Sequence, residues 1–284
     1  SFVPDSIMLK LQYRIKMGTK LNLADPKRFT EKLQWYKINH RDKLMGICVD
    51  KYEVRGYVAS KGLENALNKL YCVCNDPEEI NFAELPERFV IKTTDGGGGE
   101  NIFICKDKSS LDIPQLIQTL KSWKDKKNVN PGREWAYTLI KESRYIVEEY
   151  LENEVNPEAG ISDFKFFCFN GEVKALFIAG DRHKDEETKF DFFDADFNHL
   201  DIRNGHPNAN TPPAKPHSFE KMKDMAGHLS QNIPHLRVDF YEANGKIYFG
   251  ELTFSHWSGF TPFEPKEWDL KFGQWLKLPS KKNV

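Results

Sequence analysis

Up to about residue 70 the apolar positions recur at helical spacing, and beyond it they change to the alternation expected of strands. Ile7, Met8, Leu11 and Ile15 form one stripe, with Lys10, Arg14 and Lys16 on other faces. This predicts a basic amphipathic helix whose apolar side docks on the rest of the chain, with a membrane surface as the alternative. Asp25-Pro26 marks a break, a second helical stretch starts through Phe29, Leu33, Trp35 and Tyr36, and a third covers Asp50 to Ser60. Strands are predicted at Tyr71 to Cys74, Arg88 to Thr94 and Asn101 to Cys105. A helix follows, with Ile113, Leu116, Ile117 and Leu120 on one face and Pro114 in its first turn, where proline is tolerated.

After the polar stretch Lys124 to Asn130, the second half opens with a strand over Arg144 to Tyr150. Asn170-Gly171 and Asn244-Gly245 each join two strand-like runs, a strong hairpin signal. Between them lie a strand near Phe190 to Asp194, a proline-rich loop from Thr211 to Pro216, and a helix with Phe219, Met222, Ala226 and Leu229 on one face. The pattern predicts an α+β chain: a helical segment over 1–70, then a domain over 71–284 divided near residue 144.

Charge adds little. The 284 residues hold 41 basic and 42 acidic side chains, a net charge of -1, so no bulk signal points to nucleic acid and an anion site must be a local cluster. Five cysteines, mostly in apolar strand-like runs, read as reduced thiols of a cytoplasmic protein. No apolar run reaches the roughly 18 to 20 residues of a membrane span, and no signal-peptide core is present. The chain begins at Ser1, and the expectation is a trimmed native N-terminal extension.

The first chemical signal is Lys92 ahead of the run Gly96-Gly97-Gly98-Gly99, between two predicted strands. Glycines let backbone N–H groups approach an anion closely, and the lysine adds a positive charge. The run opens into a strand, which excludes the phosphate loops that open a helix.

The second is Arg237-Val238-Asp239 followed by Glu251-Leu252-Thr253 across the Asn244-Gly245 hairpin. Carboxylates on adjacent strands can grip Mg²⁺, which takes a few oxygen ligands plus substrate phosphates. Register decides whether they cooperate. A two-residue turn pairs Asp239 with Gly250 and turns Glu251 to the other face, whereas a three-residue loop puts Arg237, Asp239, Glu251 and Thr253 on one face. The two carboxylates are then diagonal neighbours, about 7 to 8 Å apart. A third signal is Asp163-Phe164-Lys165, whose charged residues share a strand face in apolar surroundings.

The order of these signals resembles the ATP-grasp superfamily. Phe29 to Trp35, Val49 to Arg55, Asp163 to Gly171 and Lys246 to Phe254 are similar to its teichuronopeptide-biosynthesis (TupA-like) branch. The resemblance implies two α+β subdomains, about 71–143 and 144–284, sandwiching a nucleotide. By motif, Lys51 and Lys92 would touch the α/β phosphates of ATP, Gly96, Gly97, Gly98 and Gly99 would cover the β/γ phosphates, and Glu148, Glu149, Tyr150 and Leu151 would form the adenine hinge. Asp163 would lie near the ribose and Lys165 near the phosphates. Arg237 would face the γ-phosphate and Asp239 and Glu251 would hold Mg²⁺, with Thr253 where the branch usually has an asparagine.

The implied activity is ligation of a carboxylate to an amine through an acyl phosphate, with a uronic acid and an amino acid or amino alcohol as substrates in capsular or other surface polysaccharide synthesis. Such chemistry works by positioning and charge stabilisation, so it needs no protein nucleophile. Arg237, Lys165 and Arg182 are the expected catalytic cations. Arg182, His183, Lys189, His256 and Trp257 are candidates to line the acceptor pocket. Two other enzymes stay open: a glycosyltransferase using Asp194-Ala195-Asp196, and a small-molecule kinase on the same fold. Residues alone leave the substrates and the oligomeric state undetermined.

Overall fold

The computed structural model describes residues 3–97, 99–125, 130, 132–153, 160–180 and 187–280. It is α+β, with two antiparallel sheets, and divides into two compact units. One comprises 1–45, 132–135 and 152–284; the other comprises 46–131 and 136–151. The helical N-terminal segment is therefore shared between the units. Helices α1 (Asp5–Met17) and α2 (Phe29–Asn39) lie in the larger unit, α4 (Glu53–Ser60) in the smaller, and α3 (Lys43–Val49) spans the division.

The smaller unit holds β1 (Leu70–Cys74), β2 (Phe89–Thr93), β3 (Ile102–Cys105), α5 (Ile113–Asp125) and β4 (Tyr145–Glu149). Its strands lie in the order β1-β4-β2-β3. The strand expected to open the second subdomain, β4, thus sits inside the first sheet, paired to β1 and β2. Phe89, Ile91, Tyr145 and Val147 alternate onto one face, where Leu116 and Leu120 of α5 close the core.

The larger unit holds β5 (Ser162–Phe169), β6 (Glu172–Gly180), β7 (Lys189–Asp194), β8 (His199–Leu200), α6 (Phe219–Leu229), β9 (Leu236–Ala243), β10 (Lys246–Thr253) and α7 (Glu267–Trp275). The sheet order is β10-β9-β5-β6-β7-β8. Phe166 of β5 meets Phe219 of α6 on one face, and Phe167 meets Phe29 of α2 and Phe272 of α7 on the other. Asp269 ties α7 to α2, accepting from the Thr30 backbone N–H at 2.9 Å and its hydroxyl at 2.7 Å.

Helix α1 docks, but not through the predicted stripe. Leu9 and Tyr13 are buried against Leu21 and Phe260, with Met17, Leu23 and Ile38 packed around them. Ile7, Leu11 and Ile15 remain exposed. A row offset by two residues wins because it carries the one aromatic of the helix, Tyr13, whose hydroxyl also finds the Thr30 hydroxyl at 2.8 Å.

All five cysteines are free thiols. Among the described residues no helix is long and apolar enough to cross a membrane.

Candidate functional site

In the smaller unit, the chain after β2 turns through the glycine run and returns as β3. Gly96 N–H donates to the Thr93 carbonyl at 3.4 Å and Glu100 N–H to the Gly97 carbonyl at 3.1 Å. Gly99 has φ 83°, a left-handed conformation in which a side chain is strained. A Cβ on Gly96 would come within 3.0 Å of both the Glu100 carbonyl and the Thr93 hydroxyl. Gly98 lies outside the described residues.

Lys51 is held at this loop. Its ammonium donates to the Gly96 carbonyl and its backbone N–H to the Thr94 carbonyl at 2.9 Å. Asp50 beside it accepts from the backbone N–H groups of Tyr52 and Glu53 at 2.8 and 2.9 Å, satisfying donors at the start of α4. The motif Asp50-Lys51-Tyr52-Glu53 therefore combines a helix cap with a loop anchor.

Lys92 points from β2 to Glu148 of β4, with Nζ 3.0 Å from Oε2, and Arg55 reaches the other oxygen at 3.1 Å. The expected hinge residues, Glu148 to Leu151, lie at the end of β4 and just beyond it. Glu148 is buried, with strand neighbours Leu70 and Val90 on either side, and its carboxylate positions two cations. Glu149 also lies in the strand, opposite Phe89; only Tyr150 and Leu151 follow its end.

In the larger unit, β5, β9 and β10 bring a row of charges together. Lys165 pairs with Asp239 across β5 and β9, and Asp239 pairs with Glu251 across β9 and β10. The hairpin turn contains two residues: Ala243 pairs with Lys246 around Asn244 (φ 53°) and Gly245 (φ 74°). The three-residue loop is thus not the device that joins the carboxylates. A bulge at Gly250 is, since the register shifts between Phe249 and Glu251 and returns Glu251 to the face of Asp239. A Cβ on Gly250 would lie 3.0 Å from the Asp239 carbonyl and 3.1 Å from the Tyr241 ring. Direct cross-strand partners replace the expected diagonal pair.

Arg237 organises this row. Its Nε and Nη2 donate to Asp239 Oδ1 and Oδ2, both at 2.7 Å, and Nη2 also donates to Glu251 Oε1 at 2.7 Å. Nη1 donates to His256 Nδ1 at 2.9 Å. Because that nitrogen accepts, the imidazole proton sits on Nε2 and is donated to Asn204 Oδ1 at 2.8 Å. The Asn204 amide in turn donates to the Thr261 and Pro262 carbonyls at 3.2 and 3.0 Å. Lys165 contacts Asp239 and reaches Asp163 at 2.7 Å. The Thr253 hydroxyl donates to Glu251 at 3.2 Å.

Burial alone would lower the Arg237 guanidinium, but Asp239, with Glu251 and Asp163, more than offsets it and keeps the cation firmly protonated. Burial raises the Asp239 carboxyl, an effect opposed by Arg237 and Lys165. Burial, with the nearby cations, holds His256 neutral, well below its usual range. Two buried cations with two buried carboxylates and a partly exposed third are a costly way to stabilise a fold, since desolvation offsets much of their attraction. Such clusters concentrate at functional sites.

Sequence reading missed the support behind this row. Trp257, Ser258 and Gly259 all adopt left-handed backbone, with φ 48°, 52° and 65°. The strain is held by α2: Gln34 Nε2 donates to the Ser258 and Gly259 carbonyls at 3.0 and 2.9 Å, and Lys37 Nζ to those of Ser258 and Gly132 at 2.6 and 2.7 Å. The Ser258 hydroxyl donates to Glu134 at 2.6 Å. Burial lowers the Lys37 ammonium to about 8. The available signal was Gln34 and Lys37, polar residues three apart and therefore neighbours on one helix surface.

Among the described residues, no three His, Cys, Asp or Glu side chains converge as a ready metal cage. Asp239 and Glu251 with Thr253 form a smaller set of hard oxygen donors, which suits Mg²⁺, an ion that completes its shell with water and phosphate oxygens. The Arg237 guanidinium lies against both carboxylates, so a metal there requires it to give way. Arg182 and His183 lie outside the described residues. Asp194 and Asp196 form a turn: Asp194 Oδ1 accepts from the Asp196 and Asn198 backbone N–H groups, both at 2.9 Å.

Residues 31–277 match the family model described as TupA-like ATPgrasp. Similar solved structures include D-alanine–D-alanine ligase from Bacillus anthracis, at 18% identity over 74% of this chain and 57% of that one, TM-score 0.47. The Helicobacter pylori enzyme of the same name matches at 14% identity over 87% and 68%, TM-score 0.46. D-cycloserine synthetase matches at 18% over 82% and 70%, TM-score 0.45. The chain thus spans little more than half the length of the first of these. No curated protein matches it significantly.

Proposed function

This chain belongs to the TupA-like ATP-grasp family, and on that premise we propose that it is an ATP-dependent carboxylate–amine ligase. The observation that carries this reading is the convergence of Arg237, Asp239 and Glu251 on one face of the last hairpin, with Lys165 and Asp163 beside them.

A carboxylate oxygen attacks the γ-phosphorus of ATP, the bond from phosphorus to the β–γ bridging oxygen breaks, and ADP leaves. The amine nitrogen then attacks the acyl carbon of the acyl phosphate, the carbon–oxygen bond to phosphate breaks, and the amide and inorganic phosphate are released with the amine's proton. Arg237 and Lys165 stabilise the charge of the transferring group, and Lys51, Lys92 and the glycine loop orient the remaining phosphates. Asp163 would lie toward the ribose, and Glu148, Glu149, Tyr150 and Leu151 toward the base. Asp239 and Glu251, with Thr253, would hold Mg²⁺, which when bound neutralises phosphate charge. His256 and Asn204 fix the plane of the Arg237 guanidinium. Among the described residues its partners take four of its five N–H groups.

The carboxylate is assigned to a uronic acid and the amine to an amino acid or amino alcohol, in surface polysaccharide synthesis in the cytoplasm; this rests on the family's association alone. The Asp194 turn is capped by its own backbone, which favours neither a sugar-nucleotide site nor the glycosyltransferase reading. The test is MgATP-dependent ADP release over pairs of uronic acids and amines, with hydroxylamine added as a trap. A hydroxamate supports the ligase. A stable phosphorylated product makes the protein a kinase, and cleavage of a sugar nucleotide makes it a transferase.

A further inference from the structure

The exposed side of α1 has no role in the proposed ligation. We propose that it is a docking surface for an anionic lipid membrane, with Ile7, Leu11 and Ile15 entering the interface and Lys10 and Arg14 meeting lipid phosphates.

The helix is fixed to the larger unit from behind. Leu9 and Tyr13 are fully buried, and the Tyr13 hydroxyl is hydrogen-bonded to Thr30 at 2.8 Å. On the other side, Ile7, Leu11 and Ile15 follow one another every four residues and are 56%, 53% and 73% exposed. Three branched aliphatics this accessible, aligned along one helix face, form a continuous apolar ridge rather than scattered surface residues.

Charge decides the occupant. From Ser6 to Lys20 there is no acidic residue, while Lys10, Arg14, Lys16 and Lys20 are basic. Asp5 is held by Arg133. This local excess stands out in a chain whose net charge is -1. A second copy of α1 would set cation against cation, so the face is not self-complementary. A protein partner would need an acidic apolar groove. An anionic bilayer needs no groove: an amphipathic helix lies in its interface, and lysine and arginine stems extend from the apolar side to the headgroups. Binding of this kind is reversible and weakens with salt.

The test uses the full chain in vesicle co-sedimentation, with phosphatidylcholine alone and phosphatidylcholine mixed with phosphatidylglycerol. At low salt the protein should pellet with the mixed vesicles and remain in solution with the zwitterionic ones. The triple variant Ile7→Ser, Leu11→Ser, Ile15→Ser and the double variant Lys10→Gln, Arg14→Gln should each reduce binding by about tenfold or more. Because all five side chains are exposed, both variants should keep the thermal melt of the parent. Absence of binding to anionic vesicles at low salt, or equal binding by folded variants, would overturn the proposal. So would a parent dimer that the triple variant dissociates, since the ridge would then belong to a second copy. None of these outcomes depends on ATP turnover.

Discussion

Asp239 stands directly across the strand pair from Glu251, and the bulge at Gly250 puts it there. With a two-residue turn and regular alternation, Glu251 would face away. One extra residue restores the face, and it has to be small because any side chain meets the Asp239 carbonyl. Gly250→Ala is expected to displace Glu251, cost about 1 to 3 kcal/mol of stability and suppress ATP turnover. Urea denaturation and ADP release measure the two effects.

The two carboxylates should respond differently to isosteric replacement. Asp239 is wholly buried beneath Arg237 and Lys165, so Asp239→Asn leaves two cations undercompensated and should cost about 3 to 5 kcal/mol of stability. The Glu251 side chain is 43% exposed, so Glu251→Gln should keep the melt and lose turnover. Equal stability of the two variants would contradict the network described.

His256 would act through Arg237, whose Nη1 donates to its Nδ1. His256→Phe keeps the ring's packing against Phe167 but removes the acceptor for Nη1. The expected outcome is a lower kcat with little change in the KM for ATP, measured by ADP release. A change in KM alone would place His256 in ground-state binding instead.

Lys92→Ala should weaken ATP binding by about tenfold to a hundredfold, the range of a charge-assisted phosphate hydrogen bond. Glu148→Gln should also weaken it, because the carboxylate holds Lys92 in place. Nucleotide titration followed by intrinsic fluorescence measures both.

Acid should destabilise the larger unit through His235. The ring is buried among Phe29, Phe167 and Phe169, and burial lowers it to about 3. Between that value and 6.5 the unfolded chain binds a proton that the folded chain refuses. Its contribution is therefore complete above pH 6.5 and is lost as pH falls, by up to about 1.4 kcal/mol per unit. Urea denaturation at pH 7 and pH 5 should show the loss, and His235→Asn should reduce it.

Much of this was legible in the sequence, where local chemistry decides local structure. Asn170-Gly171 and Asn244-Gly245 marked both hairpins, and Lys92 with its glycines marked the loop between β2 and β3. What escaped depended on neighbours distant in sequence. The role of Gly250 is visible only once β9 lies beside β10. Glu148 reads as a strand end until Arg55 and Lys92 converge on it. For α1, two apolar rows compete, and Phe260 and Leu21 decide which is buried. The membership of β4 is set by its pairing to β1 and β2, not by its place after a polar stretch.

The proposed role of the Asp239–Glu251 face is to serve the metal-bound phosphates of ATP. Calorimetric titration of ATP into the parent and into Glu251→Gln, each with and without Mg²⁺, tests it most directly. Mg²⁺ should strengthen ATP binding to the parent, and this gain should disappear in Glu251→Gln while the fold is retained. An equal Mg²⁺ gain in both proteins, or no ATP binding by the parent, would contradict it.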